Sequence, residues 1–321
     1  MGNDTAYTSF FKLSDEPAFG TYTAPTDDVL LLDAIGEISE NQNISEEVGT
    51  GSRLVNQTIY NQYDIGGSLS GKLQGGRLIA YALGIDTMTG SGIPYTHTMT
   101  QSDTTPLTSF TLGKYGINTD IGQEATGCKI NDFSLNLDVN GVLNSTFNFL
   151  GKQSAKKTST VGTRTQSTCN VVSSYMCAVT WNASEIATTS FSFNYSNNLG
   201  SDEYDLGDRR RQDITEGGVS MSGNFILVFA NNTVYDDFQS DWSTGVEVGT
   251  QRALVFTADN GLISTSERGM TITMANVGLN TAGNSITLDN KRVVQNYSYT
   301  PETLTNIVVK DNVSVDYISG D

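Results

Sequence analysis

One short pattern occurs twice in the chain: Gly67-Ser68-Leu69-Ser70-Gly71-Lys72-Leu73 in the first half and Gly218-Val219-Ser220-Met221-Ser222-Gly223-Asn224-Phe225 in the second. Each copy follows an acidic, turn-rich stretch and precedes a segment that reads as a short helix. Within the pattern Ser68, Ser70 and Lys72 alternate with Leu69, Gly71 and Leu73, the period of two that makes a strand with one face to bury. The repeat predicts one domain duplicated, with the organisation carried by strands.

Composition supports that expectation. The 321 residues include 32 glycines and only 5 prolines, and charged residues make up 17%. Thr, Ser, Asn and Val are abundant, which favours sheet over helical bundle. The expected fold is mainly β: two tandem β-sandwich domains, each with a short flanking α-helix. A chain this long can bury a core in each half without disulfide or metal support, so the halves are expected to fold separately. The expected division is an N-terminal arm at 1–28, a first domain at 29–152, a linker at 153–168 and a second domain at 169–321.

The arm carries Phe10, Phe11, Phe19 and Tyr22 among turn residues, without a sustained period, and reads as a segment that packs on another subunit. Glu46 to Asn61 reads as a long loop. Gln74 to Leu83 carries Leu78, Ile79, Ala82 and Leu83 at helical spacing, with Gly84 placed as a C-terminal cap. Asn140-Gly141 between Leu135-Asn136-Leu137-Asp138-Val139 and Val142 to Leu150 is a strong hairpin signal. Lys152 to Ser167 is rich in Lys, Ser and Thr and has the composition of an exposed connection. Beyond it the order of signals returns: a strand at Thr189 to Tyr195, a loop from Ser201 to Asp213, a strand at Val219 to Phe229, a helix at Asn232 to Phe238, and strands at Ala253 to Thr257 and Gly269 to Ile272. The second half has no counterpart of Asn140-Gly141, and its later strands read as shorter.

Candidate chemistry is sparse. The one histidine, His97, has no paired carboxylate or cysteine near it in sequence and reads as a solvated loop residue; no nucleophile elbow is present, so no catalytic residue is assigned. The glycines at Gly49, Gly51, Gly66 and Gly67 fit no phosphate-binding pattern. Asp202-Glu203-Tyr204-Asp205 lacks the spacing of a calcium loop. No cofactor or metal is expected. The dense basic cluster Arg209-Arg210-Arg211, flanked by Asp205, Asp208 and Asp213, reads as pairing with acidic groups of its own or a neighbouring subunit. Three cysteines cannot all pair, although Cys169 and Cys177 can. The amino terminus lacks a basic start and an apolar run, and no stretch approaches about 20 apolar residues, so neither a signal peptide nor a membrane span is expected.

Net charge is −17, which opposes binding to nucleic acid but suits a surface that nucleic acid passes without sticking.

With Gly49-Thr50-Gly51-Ser52-Arg53, then Gly67-Ser68-Leu69-Ser70-Gly71, then Arg77 to Gly84 in that order, the chain resembles the tail tube proteins of long-tailed bacterial and archaeal viruses. The resemblance implies β-sandwich domains whose sheets join edge to edge with neighbouring subunits around a lumen, in trimeric rings with pseudo-sixfold symmetry stacked into a tube. It implies a virion location, synthesis in the host cytoplasm, partners among tape-measure, terminator and baseplate or tip proteins, and passage of genome DNA without specific binding. Glu37, Glu40 and Asp64 are then the lumen candidates. Arg53, Asp205, Asp208, Arg209, Arg210, Arg211, Phe10 and Phe11 are the candidates for contacts between rings or subunits. The competing expectations are another virion component, such as a terminator or decoration protein, and a carbohydrate-binding adhesin. The latter should show an aromatic platform, whereas Trp181 and Trp242 stand apart.

Overall fold

The structure is a computed structural model, and it describes residues 9–51, 53–116, 122–157, 171–228, 233–244, 251–259, 269–286 and 293–318. It is mainly β, built as one large antiparallel sheet system with two α-helices among the described residues.

In the first half the elements are β1 (Ser9–Asp15), β2 (Asp27–Asp28), β3 (Leu31–Val48), β4 (Val55–Leu73), α1 (Arg77–Leu83), β5 (Gly84–Thr89), β6 (Tyr95–Gln101), β7 (Phe110–Gly116), β8 (Gly122–Asp138), β9 (Asn144–Gly151) and β10 (Gln153–Lys157). In the second they are β11 (Cys177–Trp181), β12 (Ser184–Ile186), β13 (Thr188–Ser196), β14 (Ser220–Val228), α2 (Thr233–Thr244), β15 (Arg252–Asp259), β16 (Gly269–Ile286) and β17 (Val293–Asp311).

Several strand pairings have counterparts in the two halves. The ladders β1–β2, β1–β7, β3–β4, β4–β9, β7–β8 and β8–β9 have their likenesses in β11–β12, β11–β15, β13–β14, β14–β17, β15–β16 and β16–β17. Both copies of the Gly-containing pattern fall on the matching central strands β4 and β14.

Two further ladders stitch the halves together: β8 pairs with β13, and β6 of the β5–β6 hairpin pairs with the end of β17. One cluster of buried side chains runs through both halves, from Phe11 and Leu13 to Tyr317 and Ile318. The expectation of two separately folding halves gives way to a shared interior, because period-two strands on either side of β8 and β13 present their apolar rows to the same space.

The helix α1 forms where the apolar spacing placed it. Gly84 follows it at φ 95°, the left-handed position that glycine adopts without a Cβ penalty, and its N–H closes on Ala80 O. All seven helix residues are buried, so α1 is a core plug between strands rather than a surface helix. Arg77 is buried with them, ion-paired to Asp27 at 3.2 Å and lying over the Tyr317 ring.

Several expectations are corrected. The N-terminal segment is not an arm: β1 is paired along its length with β7, and Phe10 and Phe11 are buried in this chain's own interior. Glu46 to Asn61 is not a long loop but the outer part of a β3–β4 hairpin, whose only gap between strands is residues 49–54. The supposed linker begins as β10, paired with β8; its residues 158–168 lie outside the described ones. The later strands of the second half are long, 18 and 19 residues in β16 and β17 against 8 in β9. The Asn140-Gly141 turn stands as expected, with Asn140 at φ 65°. Cys177 is a free thiol, and Cys169 lies outside the described residues.

Candidate functional site: the polar face of the shared sheet

Eight strands lie edge to edge in the order β3, β4, β9, β8, β13, β14, β17, β16. Because side chains alternate across a pleated strand, a fixed register points successive rungs to opposite faces.

One rung of the first face reads Glu37, Ser68, Asn148, Asp132, Ser196, Ser220. A second reads Ser70, Thr146, Ser134, Asn194, Ser222. A third crosses from Lys72 through Asn144, Asn136, Ser192, Asn224 and Ser298 to Thr281. These side chains are exposed or half-buried. The intervening rungs face the interior: Leu69, Phe147, Phe133 and Tyr195 on one, Leu137, Phe191, Phe225 and Tyr297 on another, all buried. The rings of Phe133, Phe147 and Tyr195 stack at 5.3 to 5.7 Å, and Phe191 stacks on Phe256 at 4.5 Å.

Short uncharged side chains dominate the polar face. Glu37, Asp132 and Asp138 are among its acidic groups, and Asp33 holds Lys72 at 2.6 Å. Asp132 accepts from Asn148 across the β8–β9 rung at 2.6 Å. Asp132 and Asp138 carry no motif; the alternation of β8 through Phe133, Leu135 and Leu137 is the signal that places them outward.

The other two lumen candidates are engaged by side chains of this chain. Glu40 lies on the same side of β3 as buried Ile38, facing β8 and β10, and accepts hydrogen bonds from Ser154 and Gln123. The Ser154 bond, against the opposing effect of burial, holds its carboxyl below the usual range. Asp64 is on the polar side of β4 but is engaged: Arg211 Nη2 reaches it at 3.0 Å and the Tyr204 hydroxyl donates to it. Burial, then that bond, pushes the Tyr204 hydroxyl up to about 12.

The basic cluster divides by role. Arg211 is buried, and its Nη1 donates to the carbonyls of Ile65 and Gly151 at 3.3 and 2.9 Å, so it pins the segment between β13 and β14 onto β4. Arg209 Nε donates to Asn61 O, and its guanidinium lies over the Tyr60 ring. Arg210 pairs with Asp208 at 2.9 Å and donates to Gln153; the Arg210 hydrogen bonds hold the Asp208 carboxyl well below its ordinary value. Asp205 lines an open groove with Ile44, Asn61, Leu206 and Arg209. Arg53 is exposed at the tip of the β3–β4 hairpin.

That hairpin extends past the sheet, since β9 covers β4 only from Ile65 to Lys72. Its outer part exposes Ile44, Val48, Leu54, Val55, Ile59 and Tyr60, and Leu206 stands fully exposed nearby.

His97 is corrected from a solvated loop residue to a buried one. It sits on β6, its Nδ1 2.9 Å from Asp86 and its Nε2 3.0 Å from Val313 O, with the Tyr317 ring stacked on it at 3.8 Å. Tyr317 N–H donates to Asp86 and its hydroxyl to Asp311. This cluster docks the carboxy-terminal segment against the β5–β6 hairpin.

Residues 7–301 match the family described as phage tail tube protein. The chain belongs to that family. It is thus a structural protein of the phage tail, and no helix among the described residues is long and apolar enough to cross a membrane. No curated protein matches the chain.

Proposed function

We propose that this chain is a duplicated tube subunit that polymerises into stacked rings, and that the polar face of the eight-strand sheet lines a conduit for genome DNA. The observation that carries the reading is the polar surface that crosses both halves from β4 to β17, with Glu37 at its β3 edge and Thr281 at its β16 edge, backed on its other side by one apolar interior. A wet face of Ser, Thr and Asn, whose Lys72 is paired with Asp33, offers little cationic grip to a polyanion, and its carboxylates repel phosphate without needing a defined site. Two similar half-chains make three copies sufficient for a ring with pseudo-sixfold symmetry, and ring closure removes the open edges that would otherwise template aggregation. The β3–β4 hairpin, with its exposed apolar row, is the element suited to reach the adjacent ring. Tape-measure, terminator and tip proteins are the partners this role requires.

Negative-stain microscopy of the purified protein tests assembly: rings or tubes are expected, and dispersed monomers at high concentration overturn the reading. Phage carrying Glu37→Lys, Asp132→Lys and Asp138→Lys together should assemble but deliver the genome more slowly, the delay shrinking as salt screens the new charges. Unchanged delivery refutes an electrostatic role for this face.

A further inference from the structure

One junction inside the chain has two unfilled halves elsewhere in it. Along one edge, β8 receives β7 on its first part and β13 on residues 132–138. The matching edge of β16 receives β15 only as far as Val277, and from Gly278 onward no strand is paired there among the described residues. Likewise β13 is paired on both edges, whereas among the described residues β3 is paired with β4 alone. Each half of the β8–β13 junction therefore has a counterpart whose mate is missing.

We propose that β3 of one copy pairs antiparallel with β16 of a second copy, with Leu31 opposite Ala282, Leu32 opposite Thr281 and Ile35 opposite Gly278. The proposal rests on the tube reading and specifies which edges meet and in what register.

The register comes from superimposing the two copies of the repeated pattern. Lys72 and Asn224 occupy the same place in it. Lys72 pairs with Leu32 and Asn224 with Ser192, so Leu32 is the counterpart of Ser192. Following the same rung outward, Lys72 leads through Asn144 to Asn136, and Asn224 through Ser298 to Thr281. Ser192 pairs with Asn136 inside the chain, which sets Leu32 against Thr281. The adjoining rungs give the other two pairs.

An independent feature agrees. Between the counterparts of the last two of these rungs, Ser192–Asn136 and Asn194–Ser134, the internal junction has one residue per strand, Phe193 and Leu135. At that place β3 has two, Asp33 and Ala34, and β16 has two, Leu279 and Asn280, because each strand shifts register against its own neighbour there. An extra residue in one strand alone would turn every later side chain to the wrong face. One in each sets the two bulges opposite each other and keeps the one-to-one register on either side of them, 31–32 with 281–282 and 35 with 278. It also sets Ala34 beside Leu279 and Leu31 beside Ala282 on the apolar side, where Ala34, Leu279 and Ala282 are half-buried at the rim of the core. The ladder stops at the same point on both strands: Arg252 occupies the edge at Val277, and Lys114 Nζ caps Gly36 O at 3.3 Å.

Cysteine pairing reads this register. Leu32→Cys and Thr281→Cys, made separately and mixed, should give a disulfide-linked dimer under mild oxidation, and the double variant should give higher linked species. Ile35→Cys mixed with Thr281→Cys is three rungs out of step, about 10 Å, beyond the ~7 Å that a disulfide spans; it should link at least about tenfold less. Each single variant alone accounts for the native thiols. Rings or tubes in the microscope together with equal linking of both pairs, or linking of the off-register pair only, overturn the junction while leaving the tube reading intact. Dispersed monomers with no linking overturn both.

Discussion

Gly223 shows why the repeated pattern keeps its second glycine. A Cβ there would lie 2.3 Å from Ser192 O and 2.3 Å from the Tyr299 ring, and at Gly71 it would lie 2.9 Å from Leu32 O. The strand accepts the entropic cost of glycine because a neighbouring backbone and an aromatic ring come too close for any side chain. Gly223→Ala should destabilise the fold by about 1–3 kcal/mol, the usual cost of overpacking. Gly218→Ala, with nothing within 4 Å, should leave the denaturation midpoint nearly unchanged. His97 supplies a second residue-level test. Burial alone would lower its pKa, but hydrogen bonds to Asp311 and Asp86 raise it from 6.5 to about 9. A raised folded-state value stabilises fully below pH 6.5 and is lost as pH climbs through about 9, a contribution of about 3 kcal/mol by linkage. Urea titrations should show stability falling across that window in the wild type and much less in His97→Gln; parallel profiles refute the assignment.

At the scale of elements, the segment from Asn197 to Val219 and the outer β3–β4 hairpin depend on a few anchors rather than on a sheet. Arg211 bridges Asp64 and two β4 and β9 carbonyl groups from a buried position. Asp64 stays in reach of solvent, so removing the guanidinium costs mainly the stranded carbonyls of Ile65 and Gly151, about 1–3 kcal/mol. Arg211→Met should speed amide exchange from Tyr204 to Ile214 while β8 and β13 stay protected; uniform loss of protection would mean Arg211 is a global rather than local anchor. The hairpin beyond Ile65 is two-stranded and marginal by itself, yet it holds a row of exposed apolar groups. Replacing residues 46–58 with a short Asn-Gly turn should leave secondary structure and melting unchanged while shortening or abolishing stacked tubes in the microscope.

For the whole molecule, the shared interior makes a thermodynamic statement. The β8–β13 and β6–β17 ladders and the common core cluster tie the halves together. Calorimetry should show one cooperative transition, and residues 1–157 expressed alone should aggregate through the bared edge of β8. Two resolved transitions would restore separate halves.

How much of this was legible in the chain follows from the range of each signal. Period-two alternation in Phe133 to Leu137, Phe191 to Tyr195 and Val219 to Phe225, the α1 spacing with its Gly84 cap, and the Asn140 turn are local, and they determined the strands, the helix and the recurrence of both. Glu37 was visible as a polar-side residue for the same reason. The Glu46 to Asn61 hairpin was missed because its strands are polar or apolar on both sides and lack a period, so only pairing of β3 with β4 defines them. His97, Glu40, Asp64 and Arg211 took their roles from partners 11 to 216 residues away in the sequence. Alternation sets which way a side chain points, but which strand lies next to it, and hence whether a charge is exposed, paired or buried, is decided only by the long-range register of the folded sheet.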